Sequence, residues 1–183
     1  MKKRWLLLLV VFLVGCSARD PAMEAALELR GRCLAAQQVQ FRVGISADYI
    51  DRIESFSLEC THNADGTMSF RVLGPVDIEG VGGTVSGTEG TVEFDDTVLA
   101  FPLLAEGRLS PLSGPWVLMK AICTGNILAA GQEGELVHLT IDDSYADKAL
   151  TVDLWLDGGM VCEAEIAWEG RRCLTMTVED FSA

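Results

Sequence analysis

The sequence has 183 residues, enough for one domain of ordinary size, with a formal charge of −13 and a pI of about 4.4. This acidity argues against a nucleic-acid partner, because phosphate binding needs clustered cationic side chains. Hydrophobic residues make up 49% of the chain, too many for a disordered protein, and two histidines exclude any site that needs three.

The N-terminus has the pattern of a signal peptide. Lys2, Lys3 and Arg4 precede an apolar run over residues 5–14, which is too short to span a bilayer as a helix. Residues 13–16, Leu-Val-Gly-Cys, resemble the lipobox of bacterial lipoproteins at all four positions. The resemblance implies that Cys16 becomes the first residue of the mature protein and carries a diacylglycerol thioether and an N-acyl chain such as palmitate. The alternative is an ordinary secretory signal with an incidental cysteine.

This interpretation divides the chain into a signal peptide (1–15), a lipidated anchor with a short tether (16–20) and a single domain (21–183). Cleavage lowers the formal charge to −16, since three cations are lost. We therefore expect the acyl chains to hold the protein to the membrane, while the acidic body stands away from it. The predicted location is the extracytoplasmic face of the cell membrane, or the outer membrane in a diderm host.

The domain opens with a predicted helix. Asp20 suits the N-cap and Pro21 the first helical position, and the helix is expected to run to about Gln38. Apolar residues recur at helical spacing and predict one buried stripe: Met23, Ala26, Leu27, Cys33 and Leu34.

From Val39 the hydrophobic period changes to two, which predicts half-buried antiparallel strands. Residues 63–66, Asn-Ala-Asp-Gly, suit a hairpin turn. The five glycines within residues 80–90 indicate bends rather than a phosphate loop. Further strands are predicted near residues 91–94, 97–101, 137–142, 150–157, 160–168 and 172–178.

Residues 111–125 interrupt the strands with a segment that is apolar on nearly all sides. Lys120 is its single cation, and Gly125 provides a C-terminal stop. Such a helix must be covered on most sides. We expect it to lie across the concave face of a curved sheet.

The predicted fold class is α+β: a curved antiparallel half-barrel of about ten or eleven strands with these two helices. The chain resembles the lipoprotein-carrier superfamily with the LolA/LolB fold in three segments: residues 34–41, residues 66–75 and residues 168–181. The resemblance implies a hydrophobic cleft that binds a lipid or another apolar ligand, or a surface that docks an envelope or spore-cortex protein. The residues assigned to the cleft are Trp116, Leu118, Met119, Ile122, Phe70 and Leu154.

Five cysteines remain after lipidation, and most are expected to be buried small hydrophobes. In the last hairpin, the alternation of apolar residues sends Cys162 inward and Cys173 outward. Side chains on opposite faces cannot form a disulfide, so both are predicted to be unpaired.

No enzymatic site is predicted. Asp142, Asp143 and Asp147 form the densest acidic group and Asp95-Asp96 a second, and both are interpreted as solvated turns rather than as a metal site. No cofactor is expected. Trp155 and Phe101 are assigned to the core, with a docking surface as the alternative.

Overall fold

The computed structural model of the chain describes residues 20–86, 89–93 and 104–183. Its elements are the helices α1 (Pro21–Ala35) and α2 (Gly114–Thr124) and the strands β1 (Gln38–Asp48), β2 (Ile53–Asn63), β3 (Met68–Gly74), β4 (Gly82–Ser86), β5 (Glu89–Glu93), β6 (Asn126–Glu133), β7 (Leu136–Asp142), β8 (Thr151–Asp157), β9 (Met160–Trp168) and β10 (Arg171–Ser182). Cys16 with the lipobox, the predicted strand at 97–101, Asp95-Asp96 and Phe101 lie outside the described residues.

The ten described strands form one antiparallel, curved and unclosed sheet in the order β5-β4-β3-β2-β1-β10-β9-β8-β7-β6. Two meanders therefore meet where the first and last strands pair, and Ile45 lies opposite Met176 there. The predicted α+β class and curved antiparallel sheet are confirmed.

The strand patterns follow the sequence closely. In β1, the inward residues Val39, Phe41, Val43, Ile45 and Ala47 are buried, and the residues between them are exposed. The predicted turn after β2 is present, because the Gly66 N–H donates to the Asn63 carbonyl at 2.9 Å. Alternation of this kind is the direct consequence of burying one face of a pleated sheet.

The first helix begins as predicted, with Asp20 Oδ1 accepting the Ala22 N–H at 3.0 Å. It ends at Ala35, three residues before the predicted end, because β1 already starts at Gln38. The predicted stripe is partly wrong. The buried residues are Ala22, Ala26, Leu29 and Cys33, whereas Leu27 and Leu34 are 55% and 60% exposed.

The predicted orientation of the two cysteines in the last hairpin is also wrong. Cys173 is fully buried and Cys162 is partly exposed. Each is the extra residue of a β-bulge: β8 pairs with Val161 and Glu163 but skips Cys162, and β9 pairs with Arg172 and Leu174 but skips Cys173. A bulge shifts the alternation by one residue, which a strict period of two cannot anticipate. Both thiols are free, as predicted.

Candidate functional site

The candidate site is the inner, apolar face of the sheet and the helix α2 that covers it. This helix contacts β2, β7 and β9 and also packs against α1. Gly114 permits the close approach, because a Cβ at this position would lie 2.6 Å from Leu174 Cδ1. Seven of its eleven residues are buried, so the prediction that this helix must be covered on most sides is confirmed.

The six residues assigned to the cleft are found together in or beside one hydrophobic core. Leu118, Met119 and Leu154 are fully buried, and Ile122 and Phe70 are 2% and 5% exposed. Trp116 is partly exposed and lies at the edge, where its Nε1–H donates to the Gly66 carbonyl at 3.0 Å. An apolar ligand at these residues would therefore have to displace α2.

Arg30 on α1 binds the C-terminal end of α2. Its Nε donates to the Ile122 carbonyl at 2.6 Å, and its Nη2 donates to the Gly125 carbonyl at 2.9 Å. The last carbonyls of a helix lack partners within the helix and carry partial negative charge, so a guanidinium is a favourable cap. The sequence analysis missed this residue, because nothing in the local pattern connects Arg30 with carbonyls more than 90 positions away.

Lys120 anchors the exposed side of the same helix. Its Nζ lies 2.8 Å from Asp143 Oδ2 and 5.5 Å from the centre of the Trp116 ring. Asp143 is 11% exposed and also accepts the Leu150 N–H at 2.8 Å. The interpretation of Asp143 as a solvated turn residue is therefore wrong, since it links the β7–β8 loop to α2.

Arg32 connects the last turns of α1 to the turn between β8 and β9. Its Nη2 donates to the Gly159 carbonyl, and its Nη1 lies 3.3 Å from Met160 Sδ. Its Nε is buried and has no partner among the described residues. No local sequence pattern indicates this contact, which holds α1 over the second meander.

Burial suppresses ionisation of the thiols beside the two helices. Desolvation raises the pKa of Cys33 to about 12, and the negative charge that Cys123 would carry adds to this rise. Burial also raises the pKa of Cys123. Neither thiol is therefore suited to act as a nucleophile at neutral pH.

The outer face of the sheet carries an aromatic and acidic group on β7 and β8. Trp155 stacks on His138 with ring centres 4.7 Å apart, and its Nε1–H donates to Glu133 Oε2 at 2.8 Å. Asp153 lies 3.0 Å from His138 Nε2 and accepts the Thr140 hydroxyl at 2.6 Å. Assignment of Trp155 to the core is therefore wrong.

This outer group lacks the geometry of a catalytic triad. Thr140 donates to the Asp153 carboxylate rather than to the His138 imidazole, so the hydroxyl–imidazole–carboxylate order of a triad is not formed by these three residues. Among the described residues, no three His, Cys, Asp or Glu side chains converge on a point that would hold a metal ion. No helix in the described part of the chain is long and apolar enough to cross a membrane.

No protein-family model matches the sequence, and no curated protein sequence matches it. Solved structures of a LolA superfamily protein and of bacterial lipoproteins align with this chain at low sequence identity. A LolA superfamily protein from Nitrosomonas europaea aligns with a TM-score of 0.47 and 9% identity over 88% of this chain and 92% of its own. The lipoprotein LppX from Mycobacterium tuberculosis aligns with a TM-score of 0.38 and 18% identity over 88% and 96% of the two chains.

A complex of MucA and MucB from Pseudomonas aeruginosa also aligns, with a TM-score of 0.40 and 10% identity over 87% of this chain and 56% of that one.

Proposed function

We propose that this protein is a lipid-anchored, extracytoplasmic, non-catalytic lipoprotein whose half-barrel binds an acyl chain or a similar apolar ligand on its concave inner face. The observation that supports this function is the nature of α2. It is an apolar helix lying across an apolar sheet, and the polar contacts that hold it, made by Arg30, Lys120 and Trp116, lie at its edges. The buried residues of α2 are all apolar.

The helix α2 can therefore move away from the sheet without leaving a charged group unpaired in an apolar environment. The carbonyls that Arg30 caps and the carboxylate that binds Lys120 are at least partly accessible, so water can replace the lost hydrogen bonds. Displacement of α2 exposes Leu118, Met119, Ile122 and the inner strand residues. A hydrocarbon chain would cover this surface at little cost, because dispersion contacts are not directional.

Attachment to the membrane is the second part of the proposal. The lipobox at residues 13–16 predicts acylation of Cys16. Two or more acyl chains bind a bilayer stably, whereas a single chain binds only marginally. The folded domain would then lie next to a source of lipid, at the extracytoplasmic face of the cell membrane.

The proposal is tested by lipid extraction and mass spectrometry of the domain (residues 20–183) produced by secretion in a bacterial host and purified without detergent. We expect one class of lipid to co-purify in a ratio close to one molecule per protein. A folded domain that carries no lipid, and that acquires none after incubation with phospholipid vesicles, would contradict ligand binding.

A second candidate function is docking of an envelope protein, and the partly exposed position of Trp155 on the outer face favours it. The ring lies on the outer face of the sheet among Glu133, Asp153 and Glu163. Half-exposed tryptophans are frequent anchors of interfaces, and the acidic surroundings would select a basic partner. Affinity purification from the native host with wild-type protein and Trp155→Ala tests this candidate. One protein captured by the wild type and lost with Trp155→Ala would support docking, while equal capture would exclude Trp155 as its centre.

A further inference from the structure

One flank of α1 carries apolar side chains that the described part of the protein leaves exposed. Leu27 and Leu34 are 55% and 60% exposed, and Met23 is partly exposed. Their spacings of four and seven residues place them within about 40° of one another around the helix. We call these three residues the exposed stripe; the core-facing residues Ala22, Ala26, Leu29 and Cys33 form a separate face.

Among the residues that the structure describes, none beside the stripe gives it a role inside the domain. Arg30 lies at one border, but its guanidinium is bound to the carbonyls of α2. At the opposite border, beyond Leu27, the helix presents Gly31 and then the exposed Glu24 and Glu28, which line the same surface depression as Met23 and Leu27. The stripe is therefore a narrow apolar surface between an arginine that is hydrogen-bonded to α2 and an acidic side.

The position of α1 in the chain indicates what covers this stripe. Five peptide units separate Cys16 from Pro21, and an extended chain of this length spans at most about 18 Å. An acylated Cys16 would hold the first turn of α1 within that distance of the bilayer surface. A helix so close to lipid, with apolar side chains exposed along one flank, is placed to lie in the interface.

We infer that the exposed stripe of Met23, Leu27 and Leu34 rests on the lipid surface, with α1 parallel to the membrane. This inference rests on the proposed lipid anchor, and it modifies the expectation that the whole body stands away from the membrane. The formal charge of −16 after cleavage still repels anionic headgroups. The contact is therefore apolar, and it is stronger on zwitterionic than on anionic lipid.

The charge of −16 also disfavours a second copy of this protein as the partner that covers the stripe. Two stripes can meet only if two strongly acidic domains approach each other. A bilayer of phosphatidylcholine imposes no such repulsion. The contact also fixes the orientation of the domain on the membrane. The stripe on α1 faces the lipid, whereas the hairpin between β1 and β2 lies away from this contact.

The test uses the lipidated protein reconstituted into phosphatidylcholine vesicles with brominated acyl chains, which quench tryptophan by contact. Single variants Leu27→Trp and Leu34→Trp place a reporter in the stripe. Ile53→Trp is the matched control, because Ile53 is a 72% exposed aliphatic residue outside it. Each spectrum is corrected by subtracting that of the wild type, which contributes Trp116, Trp155 and Trp168.

We expect the added emission at positions 27 and 34 to fall at least twofold in brominated vesicles, and that of Ile53→Trp to stay within about a tenth of its value in unbrominated vesicles. In vesicles rich in phosphatidylglycerol the quenching at position 27 should decrease. Met23→Trp should also be quenched, and adding Leu27→Glu and Leu34→Glu should abolish that quenching while the far-ultraviolet circular dichroism stays unchanged.

Protein that stays on the vesicles with unquenched tryptophan at positions 27 and 34 would overturn the contact while leaving the anchor intact. Equal quenching at position 53 would overturn the orientation. Protein that leaves the vesicles would overturn the anchor and the contact together. Emission that shifts to the blue with rising protein density, without quenching, would identify a second copy as the occupant and overturn the lipid assignment.

Discussion

Lys120 and Asp143 form an ion pair, 2.8 Å between Nζ and Oδ2, that joins the only charged residue of α2 to the loop after β7. The two partners are not equivalent. Lys120 is 33% exposed, whereas Asp143 is 11% exposed and also accepts the backbone N–H of Leu150. The carboxylate therefore supports both the helix and the loop.

We predict that Asp143→Ala lowers the free energy of unfolding by about 2–4 kcal/mol, because it leaves the Leu150 N–H and the Lys120 ammonium without their acceptor. Lys120→Met should cost less, about 1 kcal/mol, because Asp143 keeps the Leu150 N–H as a donor and the methionine keeps the packing of the lysine stem. Urea unfolding followed by circular dichroism measures both values. Asp147→Ala, at an exposed position in the same loop, is the control and should change the free energy of unfolding little. A larger loss of stability in Lys120→Met than in Asp143→Ala would contradict the role of Asp143 in supporting both the helix and the loop.

His62 gives the domain a pH-dependent stability. It is 9% exposed in β2, and burial lowers its pKa below the ordinary value of 6.5. The unfolded chain therefore binds a proton at a higher pH than the folded chain does. Stability is fully present above about pH 6.5 and declines as the pH falls from there to the folded pKa.

We predict that the free energy of unfolding falls between pH 7.5 and pH 5.5, and that His62→Gln reduces this fall. Urea titrations at half-unit pH intervals test the slope, and the shift of the His62 ring proton signals against pH reports the folded pKa. A His62 that titrates above pH 6.5 in the folded protein would contradict the assigned burial.

The cysteines of the last hairpin should stay unpaired under oxidising conditions. Glu163 lies opposite Thr177, so Cys162 and Cys173 are about five residues apart along the strands, or roughly 16 Å. A disulfide requires Cα atoms within about 7 Å. Peptide mapping without reduction, after purification from an oxidising compartment, measures the pairing; a peptide that joins Cys162 to Cys173 would show that the register of β9 and β10 is different.

The sequence predicted the parts of the fold that depend on local patterns. The N-cap at Asp20, the alternation along β1 and the apolar segment around Leu118 are each encoded within a few neighbouring residues. The buried face of α1 was assigned only in part: Ala26 and Cys33 are buried as predicted, whereas Ala22 and Leu29 were missed. Apolar residues occur on more than one side of this helix, so helical spacing alone also selected the exposed Leu27 and Leu34.

The remaining features depend on tertiary structure. The bulges at Cys162 and Cys173 change which side chains are buried, and they are visible only in the pairing with neighbouring strands. Arg30 shows the same limit for the site: its partners at residues 122 and 125 are neighbours only after the sheet has folded. Trp155 was misassigned because an aromatic residue in a strand is more often buried, whereas here it stacks on His138 at the outer face.

Cys16→Ala is predicted to release the protein from the membrane fraction. The apolar run of residues 5–14 is too short to anchor the protein alone, and the acidic body has no electrostatic attraction to anionic lipid. Fractionation of tagged wild-type and mutant proteins measures the distribution. Cys162→Ala is the matched control and should remain in the membrane fraction; a Cys16→Ala protein that also remains there would exclude the lipoprotein interpretation.

Binding of a fluorescent fatty acid by wild type, Arg30→Met and Arg71→Met tests the central claim most directly, because Arg30 caps the end of the helix that must move. Arg71 is an exposed arginine of β3 and serves as the matched control. We predict saturable binding by the wild type, uptake at least threefold faster in Arg30→Met with the fold retained, and unchanged uptake in Arg71→Met. The absence of saturable binding in folded wild type and folded Arg30→Met would contradict a ligand site beneath α2.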